Sequence, residues 1–169
     1  MTNDEYDEAA AHWTSREAGA ARIPADELRG EIDAFLSSHN TCALACGSGD
    51  FVRCTPLEYV WRDGAFWIFS EGGLKFRALK ENKNVSLAVF EPYGGFGKLA
   101  SAQVTGAAEL IDPEAPEFAE AAAAKGLPAQ ALPKLRGMLH LIRVRPTRID
   151  YLCSELKSRG YDSRQWLEL

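Results

Sequence analysis

One stretch of sequence decides the fold: Arg53-Cys-Thr-Pro-Leu-Glu-Tyr-Val-Trp-Arg-Asp-Gly-Ala-Phe-Trp-Ile-Phe-Ser70. Two strand-forming runs flank Asp63-Gly64, a dipeptide that favours two-residue hairpin turns because both positions can adopt positive φ. Pro56 in the first run has no N–H to give to a sheet ladder, so that run is predicted to lie at a sheet edge or at a bulge. The stretch therefore predicts a β-hairpin with free backbone groups that can meet a ligand.

A helix and a strand are predicted before this hairpin. Apolar residues recur at the spacing i, i+4, i+7 and i+8, which marks one buried helical face: Leu28, Ile32, Phe35 and Leu36. After Asn40 the pattern changes, and Thr41–Cys46 is predicted as a short strand. The turn Gly47–Asp50 leads from it into a longer strand, Phe51–Trp61.

The remaining elements follow the hairpin in a mixed order. They are a helix from Leu74 to about Asn82, strands at Val85–Phe90 and Gly97–Ile111, helices at Glu114–Lys125 and Pro128–Leu135, and a last strand at Leu139–Tyr151. Hairpin connections dominate, so we expect a mostly antiparallel sheet rather than a doubly wound parallel one. Six strands with flanking helices predict a mainly β fold, a six-stranded antiparallel split β-barrel.

The length of 169 residues fits one domain with one ordinary core. Residues 1–23 are polar and Ala-rich, and we interpret them as a loosely held N-terminal arm with Trp13 as its anchor. Residues 24–169 are predicted to form the single domain. Its end, from Cys153 to Leu169, is interpreted as a polar tail with two late aromatic residues.

The charge and the N-terminus exclude several functional classes. A net charge of -5 argues against a sequence-independent nucleic-acid binder, which needs clustered Lys and Arg. No apolar run approaches the ~20 residues that span a bilayer, and the first residues lack the pattern of a secretory signal. We therefore expect a cytoplasmic protein that has neither nucleic acid nor membrane as a partner.

No metal site and no catalytic residue is predicted. Cys42 and Cys46 share one face of a predicted strand, but no Cys-x-x-Cys or paired histidines accompany them, so we interpret them as core residues. The three histidines are isolated from one another, and His140, within a strand, is interpreted as structural. The sequence has no Gly-x-Ser-x-Gly, Walker A or His-Glu-x-x-His motif.

A phosphate site is predicted where a strand joins a helix, at Ser70–Lys75. A helix start offers free N–H groups and partial positive charge, and a lysine there is unfavourable unless an anion compensates it. Arg53 on the neighbouring strand can reach the same anion. The alternatives are a solvated surface lysine at position 75 and an outward arginine at position 53 paired to a carboxylate.

Several segments together resemble one known family. They are Arg53–Trp61, Arg62–Gly64, Phe66–Ser70, Lys75–Leu79, Asn82–Leu87 and Gly106–Leu110. In order and spacing they resemble the pyridoxamine 5′-phosphate oxidase-like flavoproteins, which are FMN-binding split barrels. The resemblance covers about residues 24–152. The segment Pro56–Trp61 looks most like the branch that includes nitroimidazole-resistance proteins.

The resemblance implies a set of FMN-binding residues. Arg53 and Lys75 match the family's phosphate ligands, and Thr55, Pro56 and Leu57 match the stretch whose backbone runs along the isoalloxazine. Phe69 and Ser70 match the pair beside the ribityl and phosphate groups. The family's flavin lies at a dimer interface, so the resemblance implies a homodimer with FMN between the subunits.

Three positions depart from the family pattern. Ser101 stands where the family has a glutamine, and Gln103, on the same strand face, is the replacement that we expect. Leu74 stands where the oxidases have one further phosphate ligand and where the resistance branch has a histidine. Tyr161–Leu169 has no clear match to the residues that grip pyridoxal phosphate, so the oxidase reaction itself is disfavoured.

We therefore predict an FMN-dependent oxidoreductase that acts on an unidentified small molecule. Aromatic residues are expected around the flavin: Trp61, Phe66 and Trp67 beneath the ring, and Tyr93 and Phe96 on the substrate side. The alternatives are a non-catalytic flavin or haem binder, a barrel with an empty site, and a deazaflavin-binding variant.

Overall fold

Eight strands form one antiparallel sheet in the computed structural model, which describes residues 1–169. They are β1 (Thr41–Ser48), β2 (Phe51–Glu58), β3 (Val60–Arg62), β4 (Ala65–Ser70), β5 (Asn84–Phe90), β6 (Ala100–Ile111), β7 (His140–Cys153) and β8 (Arg164–Glu168). The order across the sheet is β2-β1-β5-β6-β7-β4-β3, and β8 pairs with the remaining part of β7.

The sheet curls around its core as a half-barrel. Alternate residues of β1 are buried on the inner face, among them Leu44, while Ala43 and Ala45 point to the opposite, outer face. Period-two alternation of this kind is what a strand with one buried face requires. The predicted split-barrel fold class is confirmed, with eight strands in place of the expected six.

The deciding hairpin forms as predicted at its turn and at its edge. Asp63 and Gly64 have φ of 53° and 68°, and Arg62 pairs with Ala65 across them. Pro56 lies on β2, whose second edge pairs with no other strand. The proline therefore occupies the one kind of strand where its missing N–H breaks no sheet hydrogen bond.

The predicted strand Phe51–Trp61 is wrong at one residue, because Tyr59 divides it into β2 and β3. The Tyr59 N–H donates to the Asn40 carbonyl at 2.8 Å, and its hydroxyl donates to the Leu36 carbonyl at 2.8 Å. The N–H bond continues the β1–β2 ladder by one residue, since Asn40 directly precedes β1, whereas the hydroxyl bond leads to the preceding helix. Beyond Tyr59 the chain changes partner, because β2 pairs with β1 and β3 pairs with β4.

Five α-helices flank the sheet: α1 (Asn3–Ala11), α2 (Ala25–Ser38), α3 (Lys75–Glu81), α4 (Pro116–Ala124) and α5 (Leu132–Met138). The predicted apolar face of α2 is buried in the main core through Leu28, Ile32 and Leu36. Phe118 of α4 packs in a smaller core on the outer face of β4, against Phe69. None of the helices combines the length and the apolar character of a membrane-spanning helix.

The two ends of the chain meet on the outer face. Residues 14–19 form a short 3-10 helix, in which Glu17 pairs with Arg148 of β7 at 2.6 Å. The polar tail predicted after Cys153 contains strand β8, which was missed because only Gln165 and Leu167 of its five residues are buried. A second short 3-10 helix, residues 96–98, precedes β6. The strand therefore begins at Ala100 and not, as predicted, at Gly97.

Candidate functional site

Lys75 is a buried cation without an anionic partner. Its residue is 5% exposed, and its Nζ donates to the Gly72 carbonyl at 2.5 Å and lies 5.3 Å from the Phe76 ring centroid. Burial lowers the pKa of Lys75, and the nearby Arg53 lowers it further, while the Cys46 thiol raises it. No carboxylate offsets these effects. Burying an ammonium ion is costly unless an opposite charge accompanies it, so this side chain calls for an anion.

Arg53 supplies a second cation beside Lys75. It lies on β2 opposite Cys46 of β1, and the Cys46 Sγ is 3.7 Å from the Lys75 carbonyl oxygen, to which it donates. Arg53 is exposed and forms none of the ion pairs found within the chain. The structure therefore brings together the two predicted phosphate ligands. Lys75 is not a solvated surface lysine, and Arg53 is not paired to a carboxylate.

Ser70 and two glycines form the turn beside these cations. The Ser70 Oγ accepts from the Gly72 N–H and donates to the Gly72 carbonyl, both at 3.2 Å. Gly72 and Gly73 have φ of 131° and 105°, values that side-chain-bearing residues rarely adopt. The turn thus holds the buried Ser70 hydroxyl and the Lys75 ammonium around the same Gly72 carbonyl.

The helix that follows contributes less to the site than the sequence predicts. Helix α3 has only seven residues and begins at Lys75, not at Leu74. The N–H groups of Phe76 and Arg77 already donate to the carbonyls of Gly73 and Leu74, at 3.2 and 3.1 Å. An anion at this place is therefore held mainly by side-chain cations rather than by free helix N–H groups.

The β2 stretch offers a free backbone edge next to Arg53. Thr55 and Leu57 lie on the same face as Arg53, opposite Leu44 and Cys42, whereas Pro56 points to the outer face. Because β2 pairs only with β1, the backbone N–H and C=O groups along its second edge have no strand partner. A planar molecule with hydrogen-bonding groups along one side can bind along such an edge.

Two of the predicted site residues do not join this cluster. The Phe69 ring packs under α4, with its centroid 5.2 Å from that of Phe118. Gln103 lies on the outer face of β6, opposite Ala88, which is in turn opposite Ala43. Three strand spacings, roughly 14 Å, separate Gln103 from β2. Within one chain, neither side chain reaches the two cations.

The aromatic residues expected beneath the flavin ring pack in the protein cores instead. Phe66 is fully buried in the main core, and the ring of Trp61 packs against it at 4.8 Å, so both are structural. Trp67 belongs to the smaller core. Tyr93 and Phe96 are largely exposed and make an edge-on contact with each other at 6.0 Å between centroids.

His140 lies at this site, although the sequence interpretation treats it as structural. It pairs with Ser70 across the β4–β7 ladder, and its ring centroid is 4.9 Å from that of Phe76. It is exposed. Nothing in the local sequence could have indicated this position, because it follows from the pairing register of two strands that are 70 residues apart in sequence.

The cysteines on β1 behave as core residues. Cys42 and Cys46 are both buried, and burial raises the pKa of the Cys42 thiol to about 12. A thiol that is protonated at neutral pH is a poor nucleophile and a poor metal ligand. No group of three metal-ligating side chains exists in the chain.

The family model described as pyridoxamine 5′-phosphate oxidase matches residues 28–153, which include both cations and the turn between β4 and α3. The chain belongs to the pyridoxamine 5′-phosphate oxidase-like family. No curated protein sequence matches it. The family name describes a shared split-barrel fold, and membership does not assign the oxidase reaction to this chain.

Solved structures with this split barrel include binders of different cofactors. An FAD-binding protein from Mesorhizobium loti has 21% identity and a TM-score of 0.58, over 72% of this chain and 89% of that one. The haem storage protein HutZ from Vibrio cholerae has 17% identity and a TM-score of 0.58, over 70% and 89%. A haem-binding protein from Mycobacterium smegmatis has 21% identity and a TM-score of 0.61, over 87% and 59%. At such identities these likenesses show the shared fold.

Burial of the Lys75 ammonium lowers the stability of the folded apoprotein, and this loss can be measured. Because its folded pKa is lowered, the charged form destabilises the folded apoprotein, and this effect disappears as pH rises past the unfolded lysine value of about 10.4. We expect Lys75→Met to stabilise the apoprotein at pH 7 by about 1 kcal/mol, a rise in Tm of ~2–4 °C. The gain should shrink toward pH 10.

Thermal unfolding of the apoprotein at pH 7 and pH 10 measures this difference. Lys80→Met is the matched control, because Lys80 lies on the same helix with its side chain 82% exposed. That control should leave the Tm nearly unchanged. A lower Tm for Lys75→Met at pH 7 would show that the ammonium is already compensated within the chain.

Proposed function

We propose that the chain binds FMN through Arg53 and Lys75 and is an FMN-dependent oxidoreductase for a small molecule. The observation that carries this proposal is the buried Lys75 ammonium, which has an arginine beside it and no carboxylate. A phosphate monoester supplies about two negative charges and three acceptor oxygens. Two cations can therefore share it through charge-assisted hydrogen bonds.

The residues present fit the different parts of this cofactor. Arg53 and Lys75, with the Ser70 hydroxyl, would hold the phosphate, and the free edge of β2 along Thr55–Leu57 would face the isoalloxazine. When bound, the flavin supplies hydride or single-electron transfer. The chain's own part is to orient the cofactor, and its backbone groups near the ring set the electrostatic environment.

We further propose a homodimer that joins through the outer face of the sheet. Two adjacent rows across β2, β1, β5 and β6 contain no charged side chain: Pro56, Ala43, Ala88 and Gln103 in one, and Cys54, Ala45, Ser86 and Thr105 in the other. The same face exposes Val52 at 77% and Phe90 at 62%. An exposed surface that is depleted of charge is typical of the centre of an interface.

Within the family, we propose that the chain belongs to the branch that includes nitroimidazole-resistance proteins. The support is the segment Pro56–Trp61, which forms the edge strand and the Tyr59 break beside the proposed flavin. Leu74, at the place of that branch's histidine, is more than half exposed. The chemistry of this chain therefore cannot depend on an imidazole at that position.

Haem is the second candidate cofactor, and His140 is the residue that favours it. This exposed histidine lies opposite Ser70 and against Phe76, at the same end of the barrel as the two cations. A histidine nitrogen is a common axial ligand of haem iron, and haem propionates can pair with arginine and lysine. We prefer FMN because its phosphate alone would account for the buried Lys75, whereas haem would also need His140 as a ligand.

Identification of the bound cofactor tests the proposal. The protein is purified, its visible spectrum is recorded, and any released small molecule is identified by mass spectrometry; the apoprotein is then titrated with FMN. We expect a flavin spectrum and a released molecule with the mass of FMN. A Soret band would favour haem instead, and a colourless protein that takes up no added FMN would refute flavin binding.

A further inference from the structure

An open groove lies between α2, the last residues of β7 and a 3-10 helix at Ser154–Arg159. It has a volume of about 480 Å³. Tyr151 and Cys153, on the inner face of β7, contribute to its lining, and none of its lining residues belongs to the uncharged rows of the outer face. His140, beside the proposed phosphate site, is at the other end of β7, about 36 Å from Tyr151 along the strand. The groove is therefore separate from that site and from the proposed dimer face.

The Tyr151 hydroxyl is a buried polar group without a strong hydrogen-bond partner. The residue is 6% exposed, and its ring packs against Phe35 with 5.5 Å between the centroids. The other buried tyrosine, Tyr59, donates from its hydroxyl to the Leu36 carbonyl at 2.8 Å. The Tyr151 hydroxyl meets no carbonyl or carboxylate, and the side chain that can hydrogen-bond it is the Cys153 thiol, a weak partner. Buried hydroxyls are normally satisfied, so this one leaves a place for a partner from outside the chain.

Two carboxylates and one guanidinium line the groove, and their charges do not balance. Arg159 pairs with both Glu27 and Glu31, so its single positive charge is already shared. Glu155, on the 3-10 helix of the groove, forms no ion pair within the chain. Burial raises the pKa of Tyr151, and Glu31 and Glu155 raise it further, so both carboxylates act on this hydroxyl. The unused charge at the groove is therefore negative, and it favours a cationic ligand.

The walls of the groove fit a compact apolar body. The Phe35 ring is only partly buried, and Ala34 and Leu156 continue the apolar surface beside it. A cavity of about 150 Å³ holds a single benzene ring, so a groove of about 480 Å³ accepts one ring with a short side chain.

The other hydroxyl groups of the groove are already engaged. Ser38 donates to the Phe35 carbonyl at 2.8 Å, and Ser158 donates to the Glu155 carbonyl at 2.7 Å. The strongest polar groups left for a ligand are therefore the Tyr151 hydroxyl and the Glu155 carboxylate.

We propose that this groove binds a small primary amine, whose ammonium donates to the Glu155 carboxylate and the Tyr151 hydroxyl and whose apolar part packs against Phe35. An ammonium ion has three donors and no acceptor, which matches a carboxylate and a hydroxyl oxygen that lie in the same groove. A cation in this place also lies near the rings of Phe35 and Tyr151, which attract it. The inference goes beyond flavin binding and stands without it.

Calorimetric titration of the purified protein with 2-phenylethylamine tests the site, with 2-phenylethanol as the uncharged probe of the same shape. At pH 7, where the amine is protonated, we expect it to bind about tenfold more tightly than the alcohol or better. Glu155→Gln should weaken amine binding by about fivefold or more, and Tyr151→Phe, which keeps the ring, by about threefold or more. Glu8→Gln is the matched control and should leave amine binding unchanged, because Glu8 is an exposed glutamate outside the groove.

Thermal unfolding tests separately whether the Tyr151 hydroxyl lacks a partner within the chain. Tyr151→Phe should leave the Tm within about 1 °C, whereas Tyr59→Phe, which removes the hydroxyl bonded to Leu36, should lower it by ~2–4 °C. An equally large fall in Tm for Tyr151→Phe would overturn the proposal, because the hydroxyl would then be satisfied by the protein itself.

The binding data can also contradict the proposal in three ways. The first is equal affinity for the two probes, or no binding of the amine at millimolar concentration. The second is unchanged amine binding in a folded Glu155→Gln or Tyr151→Phe variant. The third is an equal loss of binding in Glu155→Gln and Glu8→Gln, which would show a general attraction of the amine to an acidic protein.

Discussion

The double variant Arg53→Gln/Lys75→Met will lose FMN on purification, and its affinity for added FMN will fall by a factor of about 100 or more. Each substitution removes a charge-assisted hydrogen bond to the phosphate, worth about 1.5–3 kcal/mol, and about 1.4 kcal/mol corresponds to a factor of ten. The two cations lie beside each other at the Cys46 thiol, so one phosphate group can contact both. Fluorescence titration of the apoprotein with FMN measures the loss.

Two single variants control for general loss of positive charge. Arg145→Gln and Lys80→Met each remove one exposed cation away from the cluster and should leave FMN affinity within about twofold. Circular dichroism confirms that the double variant is folded. Unchanged FMN affinity in the folded double variant would mean that these cations do not hold the phosphate.

We expect Ala88→Glu to convert the proposed dimer to a monomer that retains no flavin. Ala88 lies in the middle of the uncharged rows, between Ala43 of β1 and Gln103 of β6. A glutamate there is tolerated in a monomer, where that face meets water, but in a dimer it would bury a carboxylate without a partner, which costs several kcal/mol. Light scattering coupled to size-exclusion chromatography gives the mass, and absorbance gives the flavin content.

The matched control places the same substitution on a solvated helix. Ala123→Glu, on the exposed side of α4, should leave both the dimer and the flavin in place. If Ala88→Glu remains a dimer, the outer face is not the interface. If it becomes a monomer that still holds FMN, the flavin site is complete within one chain.

The sequence could predict those parts of the fold that depend on local chemistry. The Asp63-Gly64 turn follows from the conformations that these residues allow, and the edge position of β2 follows from the missing N–H of Pro56. The buried face of α2 follows from apolar spacing. The break at Tyr59 was not predictable in this way, because it depends on a change of partner strand, from β1 for β2 to β4 for β3.

In the candidate site, too, local chemistry predicts some features and tertiary structure determines the others. Arg53 and Lys75 could be picked out because their residue types and their place near a strand-to-helix turn fit a phosphate. The absence of a carboxylate beside Lys75 and the placement of His140 opposite Ser70 depend on tertiary structure and strand register. For the same reason, the sequence could not show that Phe69 packs under α4 or that Gln103 lies on the other face.

The comparison of FMN with riboflavin tests the central claim most directly. The two molecules share the isoalloxazine and the ribityl chain, and they differ only in the phosphate that Arg53 and Lys75 are proposed to hold. In titrations of the apoprotein, we predict that FMN binds about 100-fold more tightly than riboflavin or better, and that Arg53→Gln/Lys75→Met removes this difference. Equal affinity of the unaltered protein for FMN and riboflavin would contradict the assignment of this cluster as a phosphate site.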